Sequence, residues 1–541
     1  MLGVQSASGR VRGSSERQAA GSPITRAGGR RRAVAPVAPP GAAPSPLRRV
    51  SSLPGPNVPI DTTAGGGSAA VAAAPAPPPK AVAEAYKGQR AVVVGAGPAG
   101  STAAMFLARR GFEVDVYERR PEPSQDAVDT GRAYIIVLIP RGQRALSELG
   151  VPLPTDGHSV SQGSVRHSRT GKVSVSREAG NVTFSRAGLA QFLIDEARAR
   201  YPDRIRFHFG APCLGVDLEG REASFGVEGA DGESNGAAPA VSARYDLLIG
   251  ADGTQSAVRA AMAAADPAFS VEIADSGREY VTYRGLRGAI EPPEFAAGGG
   301  ATLHLWASDD AWTSFTAHSD PDGAYSGTLS LKTGGFECLK TPADYEALLR
   351  AKFVGIPEDW IAPIAAQAAT QRPSPAGKRT KCSRLDAPST ILIGDAAHSV
   401  TPVFGQGANS ALESCLVMDG VLDAAAGDAA AVPAAFTAAR LEDAHALQEV
   451  DRLAYSFFRR RGIFDTDFLA LLAHVLLGTV LSKIVPFLYG AKPALLQLGA
   501  GLPYSKILKA VRRDAAAAAV GLAALGVWLG TRLAARLAGA A

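Results

Sequence analysis

Residues Arg90–Arg120, RAVVVGAGPAGSTAAMFLARRGFEVDVYERR, constrain the fold more tightly than any other stretch. A short apolar run, Ala91–Val94, meets Gly95, Gly97 and Gly100 in a GxGxxG spacing. The pattern reads on as a helix to about Arg110 and a second strand, Glu113–Tyr117, ending at Glu118, 18 residues past Gly100. Strand, glycine turn, helix, strand and acid in this order form the βαβ unit that holds a dinucleotide. Gly95 permits the turn, Gly97 lets a pyrophosphate approach, and Gly100 lets the helix pack on the strand. Glu118 is placed to hold a ribose hydroxyl. A lone GxGxxG is a weak signal, and the whole unit is a strong one.

Two later segments read the same way. Asp246–Gly250 is a strand that enters DLLIGADGTQSAVR, with a turn at Asp252–Gly253 and a helix from Ser256 to Met262. Its acid would face a pyrophosphate or a passing nicotinamide cofactor. Ile391–Asn409, ILIGDAAHSVTPVFGQGAN, gives a strand at Ile391–Ile393 and an acidic turn at Gly394–Asp395. A proline-interrupted loop follows, then a glycine-rich entry to a helix beginning near Asn409. Asp395 at a strand end can accept a hydrogen bond from a ribitol hydroxyl. Gly405 and Gly407 let backbone approach a flat ring. The helix start aims free N–H groups and its positive end at that ring, which would stabilise the negative charge of a reduced flavin.

Between these segments the chain alternates strand and helix. Gly131–Gly150 reads as strand then helix, and Gly163–Val182 as a hairpin turning at Thr170–Gly171. Leu189, Phe192 and Leu193 form a helical stripe, with Arg186 at its start as either a solvated helix-end charge or a ligand group. Arg204–Phe209 and Phe225–Val227 are further strands. Val281–Ile290, Ala301–Trp306, Ala311–Ala317 and Gly327–Leu331 read as a sheet with one face over the flavin, interrupted by an amphipathic stretch at Pro342–Val354. His304 and Trp306 share a strand face and either line a pocket or pack in a core.

GAGPAG, DLLIGADGTQSAVR and LIGDAAHSVTPVFGQGAN, in this order and spacing, resemble the three signatures of the single-component FAD-dependent aromatic hydroxylases, from about Arg90 to Arg460. The resemblance implies an α/β fold: a Rossmann-like FAD-binding domain, an inserted mixed β-sheet substrate domain and C-terminal helices. The monooxygenase would span 88–460. Its FAD-binding parts would be about 88–150, 186–262 and 385–445, and its substrate sheet about 160–185 and 270–382. Gly95, Gly97, Gly100, Glu118, Arg186, Asp252, Gly253, Gly394 and Asp395 match FAD positions. Pro402 and the continuous segment Gly405, Gln406, Gly407, Ala408 and Asn409 match the stretch beside the flavin ring. No side chain is required as an obligatory acid or base. NADPH or NADH would bind only transiently, since no second GxGxxG appears, and O₂ would be the co-substrate.

GRAYIIVLIPRGQRAL, VRHSRTGK, LHLW, PFLY (Pro486–Tyr489) and Pro503–Tyr504 narrow the resemblance to the kynurenine 3-monooxygenases. In that group an Arg and a Tyr of the hairpin and an Asn of a late helix hold the substrate carboxylate. Those positions are Ser164, Glu178 and Ala454 here, and a buried carboxylate needs charge-assisted donors that these do not supply. Arg166, on the strand face of Ser164 but about 6–7 Å along it, could serve an anion placed differently. Phe404, His304 and Tyr489 complete the candidate substrate set. The rival readings are an isoprenoid epoxidase or flavin-dependent reductase in a plastid membrane, and a non-enzymatic flavoprotein.

Charge separates the ends from the body. Residues 1–79 hold nine Arg, one Glu, one Asp and no Lys, a net of +7 against +5 for the whole chain, so the remainder nets −2. The basic balance therefore belongs to the leader and argues for no nucleic-acid surface. This acid-poor segment, 1–80, reads as an organelle transit peptide with a Pro/Ala linker, or as a disordered tail. The destination would be a chloroplast, or alternatively a mitochondrion. Four scattered Cys read as reduced core thiols, and no metal site is expected. In the helical tail, 461–541, Ala515–Thr531 is a run of 17 uncharged residues flanked by basic ones. At 1.5 Å per residue it reaches about 25 Å, just short of a hydrocarbon core of about 30 Å. It reads as a membrane anchor or interfacial helix, or else a buried or pairing helix.

Overall fold

A six-stranded sheet, five of its strands parallel, draws its strands from Arg90 to Leu392. In spatial order it runs Asp386–Ala387, Thr390–Leu392, Leu247–Gly250, Arg90–Val94, Glu113–Tyr117 and Ile205–His208, with only the first strand antiparallel. Val92, Val93, Leu248 and Ile249 are at most 1% exposed, in a core shared with the helix Pro98–Arg109, with Ala223 and Phe225 of a small antiparallel sheet, and with Tyr245. Such strands read as unbroken apolar runs rather than alternating ones. The computed structural model describes residues 83–123, 135–154, 160–177, 180–226, 241–288, 290–292, 295, 301–310, 312–320, 323–458, 465–489 and 492–538. The leader, Glu178 and Arg459–Arg461 lie outside them. The described residues belong to one compact unit within Ala72–Ala541.

The helix Pro98–Arg109 follows the glycine turn, and Arg186–Arg200 packs beside it, capped by the Ser185 hydroxyl accepting from the Gly188 N–H. Ala257–Ala265 is capped in the same way by Ser256. Near the flavin-type signature the helix runs Gln406–Ala425, beginning three residues before the expected Asn409. The cause is Gly405, whose φ of +61° reverses the chain at the N-cap.

A second, seven-stranded sheet is inserted. Its order is Ser374–Pro375, Arg278–Leu286, Tyr325–Lys332, Ser314–Ser319, Ala301–Ala307, Ser161–His167 and Val173–Arg177. The hairpin turns where Gly171 N–H meets the Ser168 carbonyl at 3.0 Å. One face of this sheet carries Val281, Tyr283, Trp306, Phe315 and Leu329, buried in one cluster with Phe353 and Trp360 of the helices Pro342–Lys352 and Glu358–Ala369. The other face carries Ser164, Arg166, Leu303, Leu305, Thr316 and Thr328, aligned by strand register.

The C-terminal part comprises Gln406–Ala425, Val432–Phe458, Thr466–Ile484 and a continuous 35-residue helix, Tyr504–Ala538. The last begins well before Ala515 and is about 52 Å long. Tyr504, Ile507, Leu508 and Val511 of its first turns are buried with Leu447, Val450 and Leu471. Farther along, Val520, Leu522, Val527 and Leu533 are 61–70% exposed. Thr466–Ile484 and Tyr504–Arg536 are both long and apolar enough to cross a membrane. Of the four cysteines, Cys382 and Cys415 are buried, whereas Cys338 is exposed and Cys213 half-buried, so the core reading holds for two.

Candidate functional site: a flavin-binding edge

Four adjacent parallel strands end along one line. Thr390–Leu392 leads to Gly394 and Asp395, Leu247–Gly250 to Asp252, Arg90–Val94 to Gly95, and Glu113–Tyr117 to Glu118. At about 4.8 Å per strand this row spans roughly 14 Å at the carboxyl edge of the sheet, where open α/β sheets bind ligands. An elongated ligand with hydroxyls and a pyrophosphate matches such a row.

The glycines make the edge possible. Gly95 has φ +104°, and a Cβ there would stand 2.5 Å from the Ala251 carbonyl oxygen. A Cβ on Gly100 would stand 1.8 Å from the Gly95 oxygen, so only glycine lets this helix seat on its strand. Gly97, Gly253, Gly405 and Gly407 differ, since a Cβ on any of them would meet nothing within 4 Å. They border open space, as a ligand groove requires.

The acids are held in distinct ways. Glu118, 7% exposed, accepts the Ala96 N–H at 3.0 Å and the Arg120 Nε at 3.0 Å. One Asp252 oxygen accepts the Ala257 N–H at 2.6 Å, and its Oδ1 is buried without a partner. Burial pushes this carboxyl up, against the pull of Ser256 and the helix N–H groups. An orphaned acceptor at a strand end fits a hydroxyl or a water-bridged phosphate of a bound dinucleotide. Asp395 is exposed, with dense protein around it that raises its carboxyl while Arg186 draws it back. Arg186, the first residue of its helix, therefore lies near Asp395.

At the ring end, Pro402 is exposed, Phe404 half-buried, and the helix start offers Gln406, Gly407 and Ala408. Asn409 does not point its side chain into this space. Its Oδ1 accepts the Ile139 N–H at 3.0 Å, and its Nδ2 donates to Val137 and Gly405 carbonyls at 2.9 and 2.8 Å. It clamps the strand Ile135–Leu138 to the helix start. His398 is buried, 2.9 Å from Ser414 Oγ, and burial pushes it down to about 3, so it stays neutral at physiological pH.

The candidate substrate residues separate. Ser164 is buried and Arg166 exposed, both on the sheet face away from the two helices. His304 belongs to the opposite face and is corrected to a packing residue. It is 0% exposed, with Nδ1 3.1 Å from His167 Nε2 and Nε2 3.4 Å from Glu291, under the helix-covered core. Strand alternation could have shown this, because Trp306 two residues on carries the obvious core side chain. Ala454 is wholly buried in Val432–Phe458. Tyr489 stands over Arg513 at 4.2 Å with its hydroxyl 3.4 Å from Asp514, so it ties helices together. Sequence reasoning missed Asp451, and it marked Tyr504 and Gln406 only within separate motifs, without the 2.9 Å bond that joins them. Asp451 accepts the Thr401 hydroxyl at 2.7 Å beneath the loop, and no local motif marks it.

Comparison with known proteins agrees with this geometry. Residues 89–274 match the family model described as an FAD binding domain. The chain is 34% identical over 386 residues to the kynurenine 3-monooxygenase of Salinispora arenicola, covering 69% of this chain and 81% of that protein. It is 31% identical to the kynurenine 3-monooxygenase of Myxococcus xanthus, covering 62% and 71%. Among solved structures, 2-methyl-3-hydroxypyridine-5-carboxylic acid oxygenase superposes with a TM-score of 0.52 at 20% identity, covering 72% of this chain and 97% of that one. PqsL of Pseudomonas aeruginosa, titled a probable FAD-dependent monooxygenase, gives 0.53 at 18% identity, covering 70% and 99%. The fold is theirs, and with the identity to its sequence relatives the chain belongs to the FAD-dependent aromatic hydroxylase family, as a flavin-dependent monooxygenase with FAD as its cofactor.

Proposed function

We propose that this monooxygenase uses NAD(P)H and O₂ to insert one oxygen atom into an electron-rich aromatic small molecule. The row of Asp395, Asp252, Gly95 and Glu118 beside the open Gly405–Gly407 turn carries the reading. When bound, FAD supplies the redox and oxygen-transfer chemistry. Glu118 and Asp395 would hold its ribose and ribitol hydroxyls, and Gly97 would admit its pyrophosphate. The start of Gln406–Ala425 would set free N–H groups against the negative charge of the reduced ring. The polar sheet face bearing Ser164, Thr316 and Thr328 is the surface left for substrate, since helices cover the other.

The relatives' name makes L-kynurenine the first compound to test. Ser164 and Ala454 supply no cation for its carboxylate, and Arg166 is exposed. The enzyme is therefore expected to accept the analogue lacking the carboxylate at least as well as L-kynurenine itself. The test uses the chain purified in detergent with FAD, following NADPH oxidation, oxygen uptake and product. Substrate-stimulated oxidation with hydroxylated product supports the reading, and turnover persisting without oxygen would overturn it. The exposed apolar half of Tyr504–Ala538 supports attachment to a membrane, and the arginine-rich, acid-poor leader supports delivery to a plastid.

A further inference from the structure

The C-terminal helix begins at the flavin-facing turn. Tyr504, its first residue, is 0% exposed and donates its hydroxyl to Gln406 Oε1 at 2.9 Å. Gln406 is the first residue of the helix whose N–H groups face the ring position, and it is 4% exposed. Its Nε2 donates to the Phe404 carbonyl at 2.9 Å. The side chain is thus fixed at both ends, with the amide closing the turn and the phenol fixing the amide. Phe404 packs against the same cluster as Tyr504 and Ile507.

Other groups hold Tyr504 firmly. The Arg141 guanidinium lies 3.9 Å above its ring, and Arg141 bonds the Leu498 carbonyl at 3.1 Å and pairs with Glu413. Glu413 also meets Arg440 at 2.8 Å, and Arg440 bonds Ser414 Oγ and the Ser410 carbonyl at 3.0 Å each. Ser505 N–H reaches Asp443 at 2.9 Å. Burial pushes the Tyr504 phenol well above its ordinary value, so it remains a donor at working pH.

We propose that Tyr504 is a positioning residue for the flavin-facing helix start, tying the Phe404–Gly407 turn to the C-terminal helix through Gln406. The inference rests on the FAD reading above and deepens it. Without the phenol oxygen, Gln406 Oε1 becomes a buried acceptor with no donor, which disfavours its present rotamer. The turn then loses its brace, and the helix start is aimed less well at the reduced ring.

The test is the midpoint potential of bound FAD in the full chain, measured for wild type, Tyr504→Phe, Gln406→Met and the double variant. Phenylalanine keeps the ring beneath Arg141 and removes only the hydroxyl. Each single variant is expected to weaken the preference for reduced over oxidised FAD by about threefold to tenfold. For a two-electron couple that lowers the potential by about 15–30 mV. The double variant is expected to fall no further than the larger single shift. An unchanged potential in FAD-replete Tyr504→Phe overturns the inference, as do single shifts that simply add. Failure of the wild type to bind FAD overturns the reading beneath it instead.

Discussion

Asp451 shows how one buried group sets a pH dependence at the site. It is 2% exposed, and burial pushes its carboxyl up to about 6 from 3.8, against the pull of the Thr401 hydroxyl and Arg379. Between those values the folded chain binds a proton that the unfolded chain releases. Its contribution is therefore fully present below about 4 and is lost as pH rises through about 6, a change of about 2–3 kcal/mol. Asp451→Asn is expected to abolish that loss. Denaturant unfolding at pH 4.5 and pH 7 should show the variant gaining on the wild type at the higher pH, and a constant difference would refute the assignment. The same scale separates legible residues from hidden ones. Gly95, Gly97 and Gly100 announce themselves because a fixed spacing is the chemistry. Asp451 acts from 50 residues away and nothing local marks it, while the Pro503–Tyr504 motif does not reveal its partner Gln406, 98 residues away.

At the scale of elements, the glycine-turn helix is the sharpest test. A Cβ on Gly100 would stand 1.8 Å from the Gly95 carbonyl oxygen, which is backbone and cannot easily give way. Gly100→Ala must lift Pro98–Arg109 from its strand, costing about 1–3 kcal/mol or more by overpacking. FAD affinity should fall with it, read by flavin fluorescence on titration, while Gly407→Ala, which meets open space, should leave stability unchanged. Element positions were readable where periodicity was clean: Glu113–Tyr117 falls where alternation placed it. The start of Gln406–Ala425 was not, because a left-handed Gly405 let the helix begin earlier than its apolar pattern. The facing of the inserted sheet was also open, since alternation yields two faces without saying which one helices will cover.

At the scale of the molecule, the C-terminal helix joins the site to an exposed apolar surface. Its first turns are buried against the body, and Val520, Leu525 and Trp528 are 49–70% exposed. Sedimentation with phospholipid vesicles should carry the wild type down. Val520→Asp with Leu525→Asp should leave it in solution, because each carboxylate costs about 2.5–3.5 kcal/mol in the hydrocarbon. These side chains make no buried contacts, so FAD content should not change. Equal sedimentation of both proteins would exclude the apolar segment as the anchor.

The sequence by itself determined the nucleotide-binding edge: GxGxxG, the acid after the second strand and the two later Asp turns are local patterns whose spacing dictates a parallel sheet and its ligand end. It also determined that an apolar run stands near the C-terminus. Only the tertiary structure decided that Gly394, Gly95 and Asp252 fall on one row, since strand order is a long-range pairing. Only the tertiary structure turned His304 into the helix-covered core and set Tyr504 against Gln406. Those contacts are made by packing between segments that share no local signal, where burial and the pairing of buried polar groups choose the neighbours.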